Sequence, residues 1–473
     1  MDHATFRRHG HSLVDWIADY LNDIESYPVL SRVQPGQIRE ALPNSPPKQG
    51  VPFEETFRDF ERIILPGITH WNHPGFFAYF AISGSGPGIL AEFLASALNV
   101  QAMLWRTSPS ATELEEVTLG WLRQLMGLPD SFEGVIYDTA SIATLHALAA
   151  ARQQAVPSVR VHGLAGRTDV GPLRVYTSEQ AHSSIDKAVM TLGLGQDALR
   201  KIPVDENFRL RPQSLRSAIA ADLKSGVTPL AVVATVGTTS TTSIDPIETI
   251  SDICTEYNLW LHVDAAYAGA AALVPATRSV MDGCSNADSV VVNPHKWLFT
   301  PFDLSAFYCR RMDLVRAAFS LTPEYLQTPE ASQVRNLMDT GIQLGRRFRA
   351  LKLWAVIQHF GSDGLAEKLT EHMRLAKRFA AWVDASQDFE TVAPVPLSVV
   401  CFRAHGKSTA SDTDTLNTRL LDHVNASGEV FLSHTRLKGN FTLRLAIGNV
   451  RTTETHVRRA WELLIEGRRL LVD

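Results

Sequence analysis

From about Ile89 to Arg311, helical segments alternate with short β-branched runs, and nothing else in this 473-residue chain restricts the fold as much. The runs are GVIYD, LRVYTS, LAVVATVG, LWLHVDAA, DSVVVN and SAFYCR. Each is too short for a helix and too apolar for a half-exposed strand, so the pattern predicts an α/β domain with a mostly parallel central sheet. The expected organisation is an N-terminal helical segment over 1–85, a large α/β domain over 86–370 and a small α+β domain over 371–473. In the last of these, helices mix with the runs LSVVCFRA and NFTLRLAIG. Phe6, Leu13, Val14, Ile17, Tyr20, Leu21 and Ile24 form one apolar stripe at helical spacing, and Phe57, Phe60, Ile63 and Ile64 form another after the Pro-rich break ALPNSPPKQGVPF. Small helices cannot bury such stripes alone; they must clasp something.

Ligands of open parallel sheets bind beyond the carboxyl ends of the strands. Four predicted strand ends carry useful chemistry. GVIYD leads to Thr139-Ala140-Ser141, LRVYTS to His182 and Ser184, LWLHV to Asp264, and DSVVV to Lys296. Pro294, in VVVNPHKW, cannot continue a ladder, so the chain leaves the sheet and immediately presents His295, Lys296 and Trp297. A desolvated lysine has a lowered pKa and a nucleophilic amine. Asp264, followed by small residues in HVDAAYAGAA, lets something flat approach and can keep a ring nitrogen protonated. Thr139, Ala140 and Ser141 open the helical stretch IATLHALAAAR, where amides and hydroxyls make a phosphate cradle. Taken singly, each has a plainer reading: a solvated lysine, a turn-capping aspartate, an N-capping threonine or serine, a helix-start histidine. Their convergence on one crevice is the argument for a site. His146 and Trp16 read as structural residues, and Asp245-Pro246 reads as an N-cap with proline at the first helical position.

Composition excludes several classes. The formal charge of -5 and the absence of a basic run argue against a nucleic-acid partner. The four cysteines are far apart and show no metal spacing, so reduced thiols and no metal site are expected. The N-terminus lacks the apolar core of a signal peptide. The segment GILAEFLASALNVQAMLW is broken by Glu92, Asn99 and Gln101, which makes it a core helix rather than a membrane span. A soluble cytoplasmic protein is expected.

Together, NPHKW, HVDAAYAG, AHSS, TASIATL and LGRRFRALKLW form a selective set. With them the chain resembles the group II pyridoxal-phosphate-dependent decarboxylases of the aromatic-L-amino-acid decarboxylase type, from about Phe6 to Glu462. The resemblance implies a type I, aspartate-aminotransferase-like fold and a homodimer with shared active sites, the N-terminal helices wrapped over the partner. It implies Lys296 as the Schiff-base lysine, Asp264 as partner of the pyridinium nitrogen, and His182 and Ala266 on the two faces of the ring. Thr139, Ala140, Ser141 and Asn293 would bind the phosphate with His295 close by, and Thr235 would lie near the ring. Leu344 and Gly345 would arrive from the other subunit. The activity implied is removal of the carboxylate of an aromatic L-amino acid as CO2, giving the amine.

The resemblance assigns Trp71, Tyr79 and Phe80, from THWNHPGFFAYF, to the substrate pocket, with Ile82 beside them and Met103 from the partner chain. Such walls suit a flat apolar side chain. Relatives acting on catechols commonly show Pro-Thr where this chain has Ala81-Ile82, and isoleucine offers no hydrogen bond. Plant relatives with glycine at the position of Gly345 tend to take indoles. Both features favour tryptophan or phenylalanine over tyrosine or DOPA. The family's mobile loop usually carries a tyrosine thought to protonate Cα; matching back from LGRRFR puts Leu337 there. Leucine donates no proton, so another donor serves, with Tyr325 one candidate, or oxygen intercepts the carbanion and the product is an aldehyde. Retention of His182, which insect aldehyde synthases replace by asparagine, favours the amine. A decarboxylase for glutamate or histidine would call for a basic pocket, for which Arg106 is the candidate. A silent binding protein of the same fold would be expected to lose Lys296 or Asp264 first.

Overall fold

The structure, a computed structural model, describes residues 1–321, 326, 328–406 and 410–472. The chain divides into two compact units. One comprises Ile82–Lys377 and Ala393–Cys401; the other comprises Met1–Ala81, Arg378–Val392 and Phe402–Asp473, so the N-terminal helices and the C-terminal segments group together.

The first unit is built on a seven-stranded sheet. Its strands are β1 (Glu133–Tyr137), β2 (Leu173–Ser178), β3 (Leu199–Ile202), β4 (Thr228–Thr235), β5 (Trp260–Asp264), β6 (Ser289–Val292) and β7 (Ser305–Cys309). They lie in the order β1-β7-β6-β5-β4-β2-β3. The pairs from β6 through to β3 are parallel, and β7 runs antiparallel to both neighbours. Six strands therefore share one direction and end at one edge. All six runs read from the sequence are strands. β3 escaped that reading because LRKI is short and half charged, which the last strand at a sheet edge tolerates and a central strand does not.

β4, β5, β6 and β7 are buried almost throughout, as continuous apolar runs require. The helix Ala140–Ala155, rich in alanine, is buried on most of its surface and packs on β1, β4, β5, β6 and β7. Small side chains let a helix lie close to a sheet across its full width.

The segment expected to be a core helix is different. Gly86–Leu98 is helical but buries only Gly88 and Ala91, while Leu90, Phe93, Leu94 and Leu98 are each about half exposed or more. That apolar face is left uncovered among the described residues. The helix read near LGRRFRALKLWAVIQHF spans Ala350–Asp384 and kinks at Gly361, whose φ of 63° interrupts the helical path.

A smaller sheet, of order β10-β11-β9-β8, comprises β8 (Phe389–Thr391), β9 (Val399–Ala404), β10 (Ser433–Leu437) and β11 (Asn440–Ala446); β8, β10 and β11 belong to the second unit. Residues 70–81 are stitched to this unit's C-terminal part through Phe77 N–H to Phe431 O (2.8 Å) and Ala446 N–H to Phe77 O (2.9 Å). The N-terminal helix His3–Asn22 begins at Asp2, whose carboxylate caps Thr5 N–H, and it leaves Phe6 and Val14 exposed.

Candidate active site

Asp264 ends β5, pairs in register with Thr235 at the end of β4, and is buried. One carboxylate oxygen accepts Ala266 N–H at 3.0 Å, so the aspartate shapes the turn that follows its own strand. The carbonyl of Ala266 then accepts Asn293 N–H at 3.0 Å. This ties the turn after β5 to the turn after β6, where Lys296 N–H donates to Asn293 O at 2.9 Å. The short helix Pro294–Trp297 thus places Lys296, half-buried, one residue from His295 and next to the strand that carries Asp264.

His182 follows β2, and its ring senses the charges of both Asp264 and Lys296, which puts the three groups in one electrostatic neighbourhood. Burial lowers the His182 pKa, Asp264 opposes the shift and Lys296 adds to it. His182 Nδ1 accepts Ser184 N–H at 3.1 Å, so the ring proton belongs on Nε2, leaving that atom as a donor. His295 is arranged alike: Nδ1 accepts Leu304 N–H at 2.9 Å, and burial, reinforced by Lys296, holds its pKa down at about 3. It is a neutral ring with Nε2–H outward. Asn293 spends its side-chain oxygen on the Ser305 hydroxyl at 2.6 Å and keeps its amide N–H groups as donors.

At the end of β1, Thr139 is the N-cap of Ala140–Ala155 but makes no side-chain cap bond; its hydroxyl turns to Asp138 at 3.2 Å. The amides of Ala140 and Ser141 head a sixteen-residue helix and have no carbonyl within it to donate to. Donors at such a helix start, with the macrodipole behind them, can hold an anion. The buried hydroxyl of Thr235 has no hydrogen-bond partner among the described residues, so it can take one from a bound ring. These residues fit a flat, phosphorylated, nitrogen-containing ring: a carboxylate for the nitrogen, an amine for covalent attachment and neutral donors for the phosphate.

Other expected site residues divide between the units. Trp71 stacks on Phe76 (4.3 Å) and on Tyr79 (5.9 Å), and Arg444 lies 4.6 Å above the Phe80 ring, all within the second unit. Tyr79 is more than half exposed with φ of 50°. Ile82 belongs to the first unit, as does Met103, which packs with Leu104, Leu326 and Met338. Gly345 precedes Arg346, whose guanidinium forms a buried pair with Glu115 at 2.7 Å. Leu337 is only 1% exposed, inside the cluster of Val135, Tyr137, Ala147 and Phe307, so in this structure it fills the core rather than lining a crevice. Tyr325 lies outside the described residues. Asp245 is not the N-cap expected of it, because Pro246 takes that place without a cap bond. The Asp245 carboxylate instead accepts Leu210 N–H (2.8 Å) and Thr235 N–H (2.9 Å). No sequence signal marks that role, since both partners are remote in the chain.

Comparison with known proteins agrees with this chemistry. Residues 35–405 match the pyridoxal-dependent decarboxylase conserved domain. A phenylacetaldehyde synthase of Arabidopsis thaliana is 41% identical over 98% of this chain and 96% of its own length. Tyrosine decarboxylase 3 of Petroselinum crispum is 41% identical over 99% of this chain and 92% of its own. The crystal structure of Oryza sativa TDC with PLP and tryptamine superposes with a TM-score of 0.96 at 36% identity, covering 100% of this chain and 99% of that one. The chain belongs to the pyridoxal-dependent decarboxylase family, with the type I fold, pyridoxal phosphate as its cofactor and carboxy-lyase chemistry as its activity.

Proposed function

We propose that the protein decarboxylates an aromatic L-amino acid, tryptophan or phenylalanine ahead of tyrosine and DOPA, to the arylalkylamine. The observation that carries the reading is that the turns bearing Asp264 and Lys296 are tied by backbone hydrogen bonds at one edge of the sheet, the edge at which β2 leads to His182. When bound, pyridoxal phosphate supplies the sink into which the Cα–carboxylate bonding pair is drawn as CO2 leaves. Asp264 would hold the proton on the ring nitrogen, and Lys296 would hold the cofactor through its amine. His182, a donor through Nε2, would stack on the ring and donate to the substrate carboxylate. Ala266 supports the other ring face, and Thr139, Ala140, Ser141, Asn293 and His295 hold the phosphate. Ile82 would offer no hydrogen bond to a catechol, which favours an indole or phenyl side chain.

The active assembly in this reading is a homodimer with Gly345 reaching the partner's site. Two exposed apolar faces support it: Leu90, Phe93, Leu94 and Leu98 on one helix, and Phe6 and Val14 on the N-terminal helix. We assign the enzyme to the cytoplasm on the strength of four buried cysteines that form no disulfide. Among the described residues no helix is long and apolar enough to cross a membrane.

A second reading rests on Leu337. With no hydroxyl at that position to return a proton to Cα, O2 would take the electron pair instead, and amino acid, O2 and water would give the aryl acetaldehyde, CO2, ammonia and hydrogen peroxide. The test is aerobic incubation with L-tryptophan, L-phenylalanine, L-tyrosine and L-DOPA separately, recording amine, CO2, aldehyde and peroxide. Amine and CO2 without peroxide is expected. Aldehyde with matching peroxide would select the second reading, and a wild-type protein without a visible cofactor band, or one that keeps it in Lys296→Ala, would overturn both.

A further inference from the structure

Trp297 is fully buried and lies flat on Tyr267, with ring centroids 4.7 Å apart and planes within 7°. Its indole N–H donates to His372 Nδ1 at 2.9 Å, and the His372 ring is itself buried and parallel to the indole within 10°. Tyr267 is held at its far end, where its hydroxyl lies 2.5 Å from the Ser398 hydroxyl. Each aromatic ring is one turn from a group the chemistry needs. Tyr267 follows Asp264 on the turn after β5, and Trp297 directly follows Lys296 on the turn after β6. The stack therefore joins the two turns that carry the ring-nitrogen partner and the cofactor lysine, beyond the single backbone bond from Asn293 to Ala266.

Because Nδ1 accepts the indole proton, the His372 proton sits on Nε2, and the ring contributes an acceptor with one fixed direction. An indole can slide or tilt on a phenol at little cost, since stacking is broad in angle and worth about 1 kcal/mol. A buried N–H without its acceptor costs about 1–3 kcal/mol, so the hydrogen bond decides where along Tyr267 the indole rests. Moving the indole moves the four-residue helix that carries Lys296.

Resting on the assignment of Lys296 as the cofactor lysine, we infer that His372 is a positioning residue: through Trp297 it sets the placement of the Lys296 amine relative to Asp264. The relevant readout is the absorbance of the cofactor bound to Lys296, whose titration midpoint reports the surroundings of that nitrogen, together with the rate of cofactor release.

The variants are His372→Leu, which removes the acceptor; Trp297→Phe, which removes the donor and keeps a ring; and His372→Asn, whose side-chain oxygen can take the place of Nδ1. His372→Leu and Trp297→Phe are expected to move the titration midpoint in the same direction and to raise the release rate about tenfold, the factor set by one lost buried hydrogen bond. His372→Asn is expected to behave as wild type, and the double variant Trp297→Phe/His372→Leu to go no further than the larger single effect. A lowered melting temperature with unchanged midpoint and release rate would reduce His372 to packing and overturn the inference, as would effects that add. If His372→Leu does not fold, Trp297→Phe decides alone: an unchanged midpoint overturns it. A wild-type protein lacking the band refutes the Lys296 assignment instead, so the two failures are distinguishable.

Discussion

Thr235 and Asp264 stand side by side at the carboxyl ends of adjacent parallel strands, paired in register, and Val236 N–H continues the ladder to Asp264 O at 2.9 Å. The position of the Asp264 carboxylate thus depends on how the end of β4 is held. That end is held by Asp245, which accepts Thr235 N–H and returns its own N–H to Thr235 O at 3.0 Å.

Asp245→Asn keeps the size of the side chain but sets an NH2 against one of two backbone N–H donors. One buried donor loses its partner, at a cost of about 1–3 kcal/mol. Burial pushes the Asp245 pKa up to about 6 while the two amides pull it down, so its charge is not cheap to keep. Thermal denaturation should show the loss, and equilibrium dialysis should show weaker cofactor retention. A variant as stable as wild type would mean that the two amides do not hold the turn.

Gly237 has φ of 88°, and a Cβ there would come within 2.5 Å of the Ala268 Cβ. Gly237→Ala combines a left-handed penalty of about 1–2 kcal/mol with a clash against the segment following Asp264. Lower stability and faster cofactor release are expected together, measured by melting temperature and by the decay of the visible band on dilution.

Arg346 and Glu115 form an ion pair at 2.7 Å with both side chains buried. Arg346 also donates to Ile136 O (2.8 Å) and Ala102 O (3.3 Å), while Glu115 accepts Ile136 N–H (2.8 Å). The pair therefore fastens the segment around Gly345 to β1. Arg346→Met strands a buried carboxylate and should cost about 3–5 kcal/mol in urea unfolding, whereas the double variant Arg346→Met/Glu115→Gln should recover part of that loss.

Acid should unfold the protein well above the carboxylate range. Burial lowers the pKa of His146 and His295 to about 3 and of His73 and His262 to about 4, from an ordinary value of 6.5. The unfolded chain binds these protons and the folded one does not, so stability is fully present above pH 6.5 and falls as pH drops toward 4 and then 3. At pH 5 each buried histidine removes on the order of 2 kcal/mol. Melting temperature against pH should fall steeply between pH 6.5 and 5; a flat profile there would refute the assignment of these rings as buried and neutral.

Local sequence carried the strands and the chemistry. Six apolar β-branched runs became six strands, because burial on both faces of a sheet demands runs that can be read without knowing their neighbours. Partners remote in the chain could not be read that way. Whether Asp245 caps a helix or holds Thr235, whether Leu337 faces a crevice or the core, and which acceptor meets the Trp297 indole are decided by which distant segments pack together. The helix Gly86–Leu98 makes the same point. Its apolar content signalled burial, but a hydrophobic face states only that it needs a cover, and among the described residues it stays exposed. Residue spacing reports what an element must hide; tertiary packing decides against what, because close contacts between segments far apart in sequence have no local signature.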